Sequence, residues 1–169
     1  MRSIQSCPLP DAALLRRYAG RDDYTDCYTT LIERTASHEE FVRVFYTTWV
    51  FKLERWILTW TVKKPSSDAE AAQLAAGVRS SFAAWSVEDR APDQLLMCDF
   101  LGNTRSWLMT AKEGATGTRL YFGSAVVART DRDTGKRSLG APFRALLGFH
   151  KLYSRLLLRA ARSRLSGAA

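Results

Sequence analysis

The chain has 169 residues, of which 46% are hydrophobic and 25% are charged. This length suits one domain, and this composition excludes intrinsic disorder, a collagen-like repeat and a disulfide-stapled scaffold. The formal net charge of +8 is concentrated at one end, because eight basic residues and no acidic residue follow Asp133. We therefore expect any anionic partner to meet the C-terminal segment.

The first elements are a short helix and a strand. We predict a helix over residues 12–19, with Asp11 as its N-cap and Gly20 as the left-handed residue that ends it. Residues 1–20 form an N-terminal extension of a single domain that covers residues 1–169. The segment from Tyr24 to Ile32 is rich in Tyr and Thr and predicts a strand.

Two helices are predicted after this strand. Ser37 and Glu40 form a capping box that begins the first one. This helix is expected to continue towards Val62, because four large apolar residues share the spacing of one helical face: Leu53, Trp56, Ile57 and Trp60. Residues 65–68 break it, and residues 69–79 are good helix formers that predict the second.

From Phe82 onward the hydrophobic period changes to two, which predicts an antiparallel meander. Its four strands cover residues 82–89, 94–101, 104–111 and 119–128. A two-residue turn at Gly102-Asn103 would pair Cys98 with Trp107. These registers gather an apolar inner face: Trp85, Val87, Leu96, Cys98, Phe100, Trp107, Met109, Leu120, Phe122, Ser124 and Val126. Arg105 is its only charged residue.

A long helix from Pro142 to about Leu165 is expected to cover that face. Its apolar arc exceeds half the circumference at about 100° per residue. The arc consists of Leu146, Phe149, His150, Leu152, Tyr153, Leu156, Leu157 and Ala160. A basic face lies opposite it: Arg144, Lys151, Arg155, Arg159 and Arg162.

Five stretches along the strands and the last helix carry a resemblance to a known superfamily. They are FAAWSVE at 82–88, DQLL at 93–96, RSWL at 105–108, TRLYF at 118–122 and FRALLGFHKL at 143–152. From about Tyr24 to Arg162 the chain resembles the START and polyketide-cyclase-like (SRPBCC) superfamily, and more narrowly a family of uncharacterised bacterial proteins within it. The resemblance implies the α+β helix-grip fold, an antiparallel sheet wrapped around a long C-terminal helix. It departs from the superfamily in showing five clear strands, and residues 129–139 leave room for another short hairpin.

The resemblance implies that an apolar or amphipathic small molecule, lipid- or polyketide-like, binds between the sheet and the last helix. The expected cavity residues are Trp85, Arg105, Trp107, Phe122, Ser124, His150, Tyr153 and Leu157. Arg105 would hold an acidic end of the ligand, or would extend along the turn to water. His150 would be a core histidine, or the general acid or base of a cyclase- or hydrolase-like enzyme. A further alternative is a peripheral membrane or protein-interaction module that uses the basic face.

Other kinds of site lack their sequence signatures. The cysteines at 7, 27 and 98 fit neither a metal pair nor a disulfide framework, so we expect reduced thiols in a cytoplasmic protein. Neither histidine has a neighbour at metal-ligand spacing, and no phosphate loop or nucleophile elbow is present, so no cofactor or metal is expected. Aromatic residues do not alternate with the basic face, which makes nucleic acid an unlikely partner. A homodimer and an anionic membrane stay open as partners.

Overall fold

The computed structural model describes residues 3–20, 22–53, 66–130, 135, 137–139 and 141–167, of which 141–146 are described by their backbone only. A seven-stranded antiparallel sheet has the order β1-β2-β7-β6-β5-β4-β3. Its strands are β1 (Gln5–Ser6), β2 (Tyr24–Ile32), β3 (Ser81–Phe82), β4 (Trp85–Ala91), β5 (Gln94–Asp99), β6 (Thr104–Glu113) and β7 (Gly117–Val126). A separate hairpin pairs β8 (Arg129–Thr130) with β9 (Arg137–Ser138), within the stretch that had room for one.

The helices are α1 (His38–Tyr46), α2 (Asp68–Ala75), α3 (Ala141–Ser166) and a 3₁₀ helix (Leu14–Tyr18). The long C-terminal helix α3 packs against the sheet through Leu157, Leu158, Ala161 and Leu165, which are buried. The predicted α+β class is therefore confirmed, and the architecture is consistent with a helix grip. Within the described part of the chain, no helix is long and apolar enough to cross a membrane.

The predicted first helix is shorter than expected and has a different start. Ala13 occupies the N-cap position of the 3₁₀ helix without a side-chain hydrogen bond. Asp11 lies fully exposed and forms an ion pair with Arg16 at 3.0 Å instead, so its predicted capping role is wrong. Gly20 has a φ of +80°, which agrees with its expected left-handed conformation after the helix.

The start of α1 agrees with its prediction in part. Ser37 Oγ accepts a hydrogen bond from the Glu40 amide at 3.0 Å. The Glu40 carboxylate, however, binds the Arg34 guanidinium at 2.6 Å and does not complete the capping box. The Arg34 hydrogen bond holds the pKa of Glu40 below its usual value.

The helix after Ser37 is interrupted where the sequence predicted continuity. Thr47 and Thr48 donate side-chain hydrogen bonds to the carbonyl oxygens of Arg43 and Phe45, which competes with helical pairing. Residues 49–53 are helical again. Trp56, Ile57 and Trp60, which defined the predicted apolar face, lie outside the described residues. The next helix, α2, has a full capping box between Ser67 and Glu70 that the sequence reading missed.

The registers of the meander differ from the predicted ones in three ways. Between β5 and β6, Trp107 pairs with Leu96 and Cys98 pairs with Arg105, a shift of two residues that leaves every side chain on its predicted face. Between β6 and β7, Trp107 pairs with Gly123, so Phe122 points to the opposite side. A β-bulge between Val87 and Asp89 also offsets β4. The expectation that Trp85 and Trp107 share one face is therefore wrong.

Both faces of the sheet are consequently apolar and covered. The inner face, with Leu95, Leu108 and Phe122, packs against α1, α2 and α3. The outer face carries Trp107 and Leu96, and the N-terminal segment packs on it. The sequence predicts Trp107 and Leu96 on the inner face, and this part of the prediction is wrong.

Candidate functional site

A polar cluster joins β2, β7 and α3 at one end of the inner face. Ser124 Oγ lies 2.6 Å from Asp26 Oδ1 and 2.8 Å from His150 Nε2. Asp26 Oδ1 also accepts a hydrogen bond from the Ser124 amide at 3.0 Å, and Tyr24 donates its hydroxyl to Asp26 Oδ2 at 3.2 Å. The Tyr24 and His150 rings meet edge to face, with their centroids 5.9 Å apart. One buried carboxylate thus holds two strands and the last helix together.

Hydrogen-bond roles in this cluster follow from the carboxylate. An ionised Asp26 only accepts, so the Ser124 hydroxyl donates to it and accepts in turn from His150, which requires a proton on Nε2. The same nitrogen lies 3.4 Å from Asp26 Oδ2. In a nucleophilic triad the carboxylate orients the other ring nitrogen and the histidine removes the serine proton. Here the serine proton is committed to Asp26, so the cluster favours positioning over activation of Ser124.

A pocket of about 510 Å³ opens beside this cluster, where the edge of β2 extends beyond the short strand β1. We call it the edge pocket. It is lined by Ser6, Cys7, Pro8, Leu9, Arg16, Ala19, Tyr24, Thr25, Asp26, Cys27, Tyr28, Lys151 and Arg155. Three separate parts of the chain therefore meet there: the N-terminal segment, β2 and α3.

The edge pocket has a positive balance of charge. Lys151 and Arg155 contribute two cations, and the charge of a third, Arg16, is paired with Asp11 at 3.0 Å. Asp26 contributes one carboxylate, whose oxygens already accept hydrogen bonds from Ser124 and Tyr24. The Arg155 guanidinium lies 5.4 Å from the Tyr28 ring centroid, a cation–π arrangement. No carboxylate among the described residues forms an ion pair with Lys151.

The tyrosines of the pocket wall stay protonated at neutral pH. Burial raises the pKa of the Tyr24 hydroxyl, and the nearby Asp26 charge raises it further. Burial and Asp26 also raise the pKa of Tyr28, although Arg155 opposes them. The Tyr24 hydroxyl therefore keeps the proton that it donates to Asp26 Oδ2.

The predicted cavity residues separate into two groups. Phe122, Ser124 and Leu157 lie buried on or against the inner face, with Trp85 and Tyr153 partly buried beside them. The Phe122 ring lies 4.9 Å from that of Phe45 on α1, so an aromatic side chain occupies space that had been assigned to a ligand. The sequence leaves open whether this interior is filled, because the pattern of α1 does not show which way its aromatic residues point.

Arg105 and Trp107 lie on the outer face, away from α3. Trp107 is fully buried and donates its indole hydrogen to Gln94 Oε1 at 2.9 Å. Arg105 forms an ion pair with Glu88 and hydrogen bonds to the Tyr18 hydroxyl at 2.9 Å. The structure thus separates both residues from the other predicted cavity residues. The Arg105 guanidinium, which was expected to hold the acidic end of a ligand, already has a partner within the protein.

The two predicted sides of α3 differ less in exposure than the sequence predicts. Of the basic residues, Lys151, Arg155 and Arg159 are exposed and Arg162 is half-buried. The side chains of Arg144 and of Leu146, the first residue of the apolar arc, lie outside the described part of the structure. Phe149, Leu152 and Leu156, expected to pack on the sheet, are 66%, 64% and 37% exposed. The arc is therefore only half covered, and its open half adjoins the basic residues.

Sequence reasoning found Ser124 and His150 but missed Tyr24 and Asp26. The sequence of β2 contains a signal. Asp26 is spaced by two residues from its neighbours on one side of a mostly buried strand, which are Tyr24, Tyr28, Thr30 and Ile32. A carboxylate in such a strand needs hydrogen-bond donors, which points to a polar site. Two of its donors, the amide and hydroxyl of Ser124, lie 98 residues away on β7, so the sequence could not identify them.

Comparisons with known proteins leave the family open. No protein-family model and no curated protein matches the chain. Among solved structures, CalU16 from Micromonospora echinospora is 14% identical with a TM-score of 0.42, over all of this chain and 85% of that one. A conserved protein of unknown function, EF2215 from Enterococcus faecalis, is 13% identical with a TM-score of 0.39, over 92% of this chain and 83% of that one. Similarity at this level says nothing about a ligand or reaction, and membership of the superfamily stays a prediction.

Proposed function

We propose that this protein binds an amphipathic small molecule, with a lipid- or polyketide-like apolar part and an anionic group, in the edge pocket. The observation that carries the proposal is the lining of this pocket, in which apolar and phenolic surface adjoins Lys151 and Arg155. Its volume of about 510 Å³ lies within the range of small-molecule sites, roughly 300–1,000 Å³.

The two ends of such a ligand have different places to bind. Pro8, Leu9 and the rings of Tyr24 and Tyr28 offer apolar contact for a chain or ring system. Lys151 offers an ammonium group to a carboxylate or phosphate, and Arg155 adds positive potential on the same side. Because Asp26 already accepts hydrogen bonds within the protein, its charge repels the anionic end less than a free carboxylate would.

Native mass spectrometry of freshly purified protein, followed by organic extraction, identifies any molecule that co-purifies. Binding is then measured by the fluorescence of a dansylated fatty acid. We expect Lys151→Glu to weaken binding of this probe by about tenfold or more. Arg159→Glu is the matched control, because it makes the same charge change on the same helix outside the edge pocket.

Three results would count against the proposal. The first is a probe that does not bind the wild-type protein. The second is an equal loss of binding in Lys151→Glu and Arg159→Glu, which would indicate a general charge effect. The third is a co-purified molecule whose binding is unaffected by Lys151→Glu.

A second function is favoured by the exposed apolar half of α3. We infer that Phe149, Leu152 and Leu156, beside Lys151, Arg155 and Arg159, contact an anionic membrane surface. Amphipathic helices bind in the membrane interface when exposed apolar residues adjoin basic ones. Each basic residue near an anionic surface contributes about 1 kcal/mol.

Charge favours a membrane over a second copy of the chain. No acidic residue follows Asp133, so a two-fold pairing of this helix face would bring only positive charges together. An anionic lipid surface neutralises these charges and accepts the exposed apolar side chains at the same time.

The test is co-sedimentation with vesicles of phosphatidylglycerol and phosphatidylcholine. We expect binding that weakens with salt, that is lost in Leu152→Asp and in the Arg155→Glu/Arg159→Glu double variant, and that persists in Lys112→Glu, an exposed charge change on β6. Absence of binding at low salt would overturn the inference, as would a dimer that forms through this face without vesicle binding.

A further inference from the structure

The thiols of Cys7 and Cys27 lie together in the wall of the edge pocket. Cys7 follows β1 and extends the pairing between β1 and β2. The Cys7 amide donates a hydrogen bond to the Cys27 carbonyl at 3.0 Å. The two Sγ atoms are 3.2 Å apart and form a hydrogen bond. Both cysteines are free, and both line the edge pocket.

The two sulfur atoms differ in accessibility. Cys7 is partly exposed, whereas Cys27 is 2% exposed and packs against Trp107, Leu96 and Ala125 on the outer face. A reagent that enters the pocket therefore meets Cys7 first. Cys27 is in contact with Cys7 and is shielded from the same reagent.

We propose that Cys7 and Cys27 form a redox-active dithiol that a hydroperoxide oxidises reversibly to a disulfide. Cys7 is the attacking thiol and Cys27 the resolving one. This inference does not depend on the ligand proposed for the pocket, because it rests on the contact between the two thiols and their unequal exposure.

The chemistry balances with a hydroperoxide as the oxidant. The Cys7 thiolate attacks one oxygen of the O–O bond, an S–O bond forms, and the other oxygen leaves as an alcohol after taking up a proton. Cys27 then attacks the Cys7 sulfenic acid, the S–S bond forms, and the S–O bond breaks with release of water. Two thiols are oxidised, and one hydroperoxide is reduced to an alcohol and water.

The electrostatic surroundings agree with these roles. The hydrogen bond between the two thiols lowers the pKa of Cys7, and the positive charge of Arg119 lowers it further, against the opposing effect of burial. The hydrogen bond to Cys7 and burial raise the pKa of Cys27. Thiolate character therefore concentrates on the more accessible sulfur.

Cys98 provides an internal control. It is also partly exposed, but its Sγ contacts the Asp99 carbonyl rather than a second thiol. Burial raises the pKa of Cys98, so its thiol is a poorer nucleophile at neutral pH.

The test treats the reduced full chain with one equivalent of hydrogen peroxide, alkylates the remaining thiols and measures the intact mass. We expect the mass to fall by two hydrogen atoms and two of the three thiols to escape alkylation. Proteolytic digestion should then yield a peptide that links residues 7 and 27, together with an alkylated Cys98. Dithiothreitol should restore all three thiols. Cys27→Ala should stop at a sulfenic acid that dimedone traps on Cys7. Cys7→Ser should remove the rapid reaction, and Cys98→Ser should leave it unchanged.

Several outcomes would overturn the proposal. They are three free thiols after excess peroxide, oxidation of Cys98 as fast as that of Cys7, a disulfide between two chains, and direct conversion of Cys7 to a sulfinic acid in the wild-type protein. The wild-type measurements decide the question even if a variant does not fold.

Discussion

The stability of this fold depends strongly on single residues whose polar atoms are buried. Asp26 accepts hydrogen bonds from the Ser124 amide and hydroxyl and from the Tyr24 hydroxyl. His38, in contrast, has no hydrogen-bond partner for either ring nitrogen among the described residues. Asp26 therefore connects three elements, and the burial of His38 lowers the free energy of unfolding by an amount that depends on pH.

Asp26→Asn is expected to lower the free energy of unfolding by about 2 kcal/mol, because charged hydrogen bonds are lost and an amide hydrogen meets the Ser124 amide or hydroxyl. Urea denaturation measures this change. Asp93→Asn, at an exposed turn position, is the matched control and should be nearly neutral. Equal stability of Asp26→Asn and wild type would show that the cluster does not join its three elements.

His38 should make stability fall in mild acid. Burial, assisted by the positive charge of Arg90, lowers the pKa of His38 from 6.5 to about 4 in the folded protein. Between these two values the unfolded chain binds the proton and the folded one does not. The free energy of unfolding therefore decreases as the pH falls, by up to about 1.4 kcal/mol per pH unit.

His38→Gln removes this titration. Urea denaturation of both proteins from pH 7 to pH 4 should show a smaller decrease in stability for the variant, an interval that spans the two pKa values. An identical pH dependence would mean that His38 does not contribute.

At the scale of elements, close packing on the outer face depends on one position without a side chain. A Cβ atom on Gly123 would lie 2.8 Å from the Asp26 carbonyl oxygen, 2.9 Å from Leu15 Cδ2 and 3.0 Å from the Trp107 ring. Leu15 belongs to the 3₁₀ helix and is fully buried there. The glycine lets that helix approach β7.

Gly123→Ala is expected to cost about 1–3 kcal/mol of stability, because the rigid strand backbone cannot move away from the added methyl group. Gly148→Ala is the matched control on the exposed side of α3, where nothing lies within 4 Å of the added atom. It should stabilise the protein by about 0.5–1 kcal/mol through the helical preference of alanine. Thermal unfolding of both variants tests the contrast, and equal effects of the same sign would contradict it.

At the scale of the whole molecule, the sheet separates two apolar cores that are covered by different parts of the chain. The inner core joins α1, α2 and α3 to one face. The outer core is closed by the N-terminal segment, to which Gln94 is one of several polar connections. Its side chain accepts hydrogen bonds from the Leu14 amide and the Trp107 indole, and donates to the Ala12 carbonyl, each at 2.9 Å.

Gln94→Leu should release the N-terminal segment while leaving the inner core intact. It leaves three polar groups without their partner, for a loss of about 3 kcal/mol. Hydrogen exchange should show reduced protection over residues 12–18 and unchanged protection in β6 and β7. Gln73→Leu, on the exposed side of α2, is the control. Uniform loss of protection would show that the two cores unfold together.

Prediction from sequence succeeded where local signals decide. The bounds of β2 and the N-cap at Ser37 agree with the structure, and so does the long helix after Pro142. Prediction failed for the strand registers, because alternative registers place similar residues next to each other. A one-residue change in the β6–β7 register moved Phe122 to the side opposite Trp107, and the sequence contains alternating residues that satisfy either choice.

The amino-acid sequence alone determined the α+β class, the order of most elements and the crowding of positive charge after Asp133, because periodicity, capping and charge are properties of neighbouring residues. Tertiary structure alone decided that both sheet faces are covered, that Asp26 meets Ser124 and His150, and that Cys7 meets Cys27. Each of these contacts joins residues at least 20 positions apart. Strand registers and packing establish such contacts, and no local pattern contains that information.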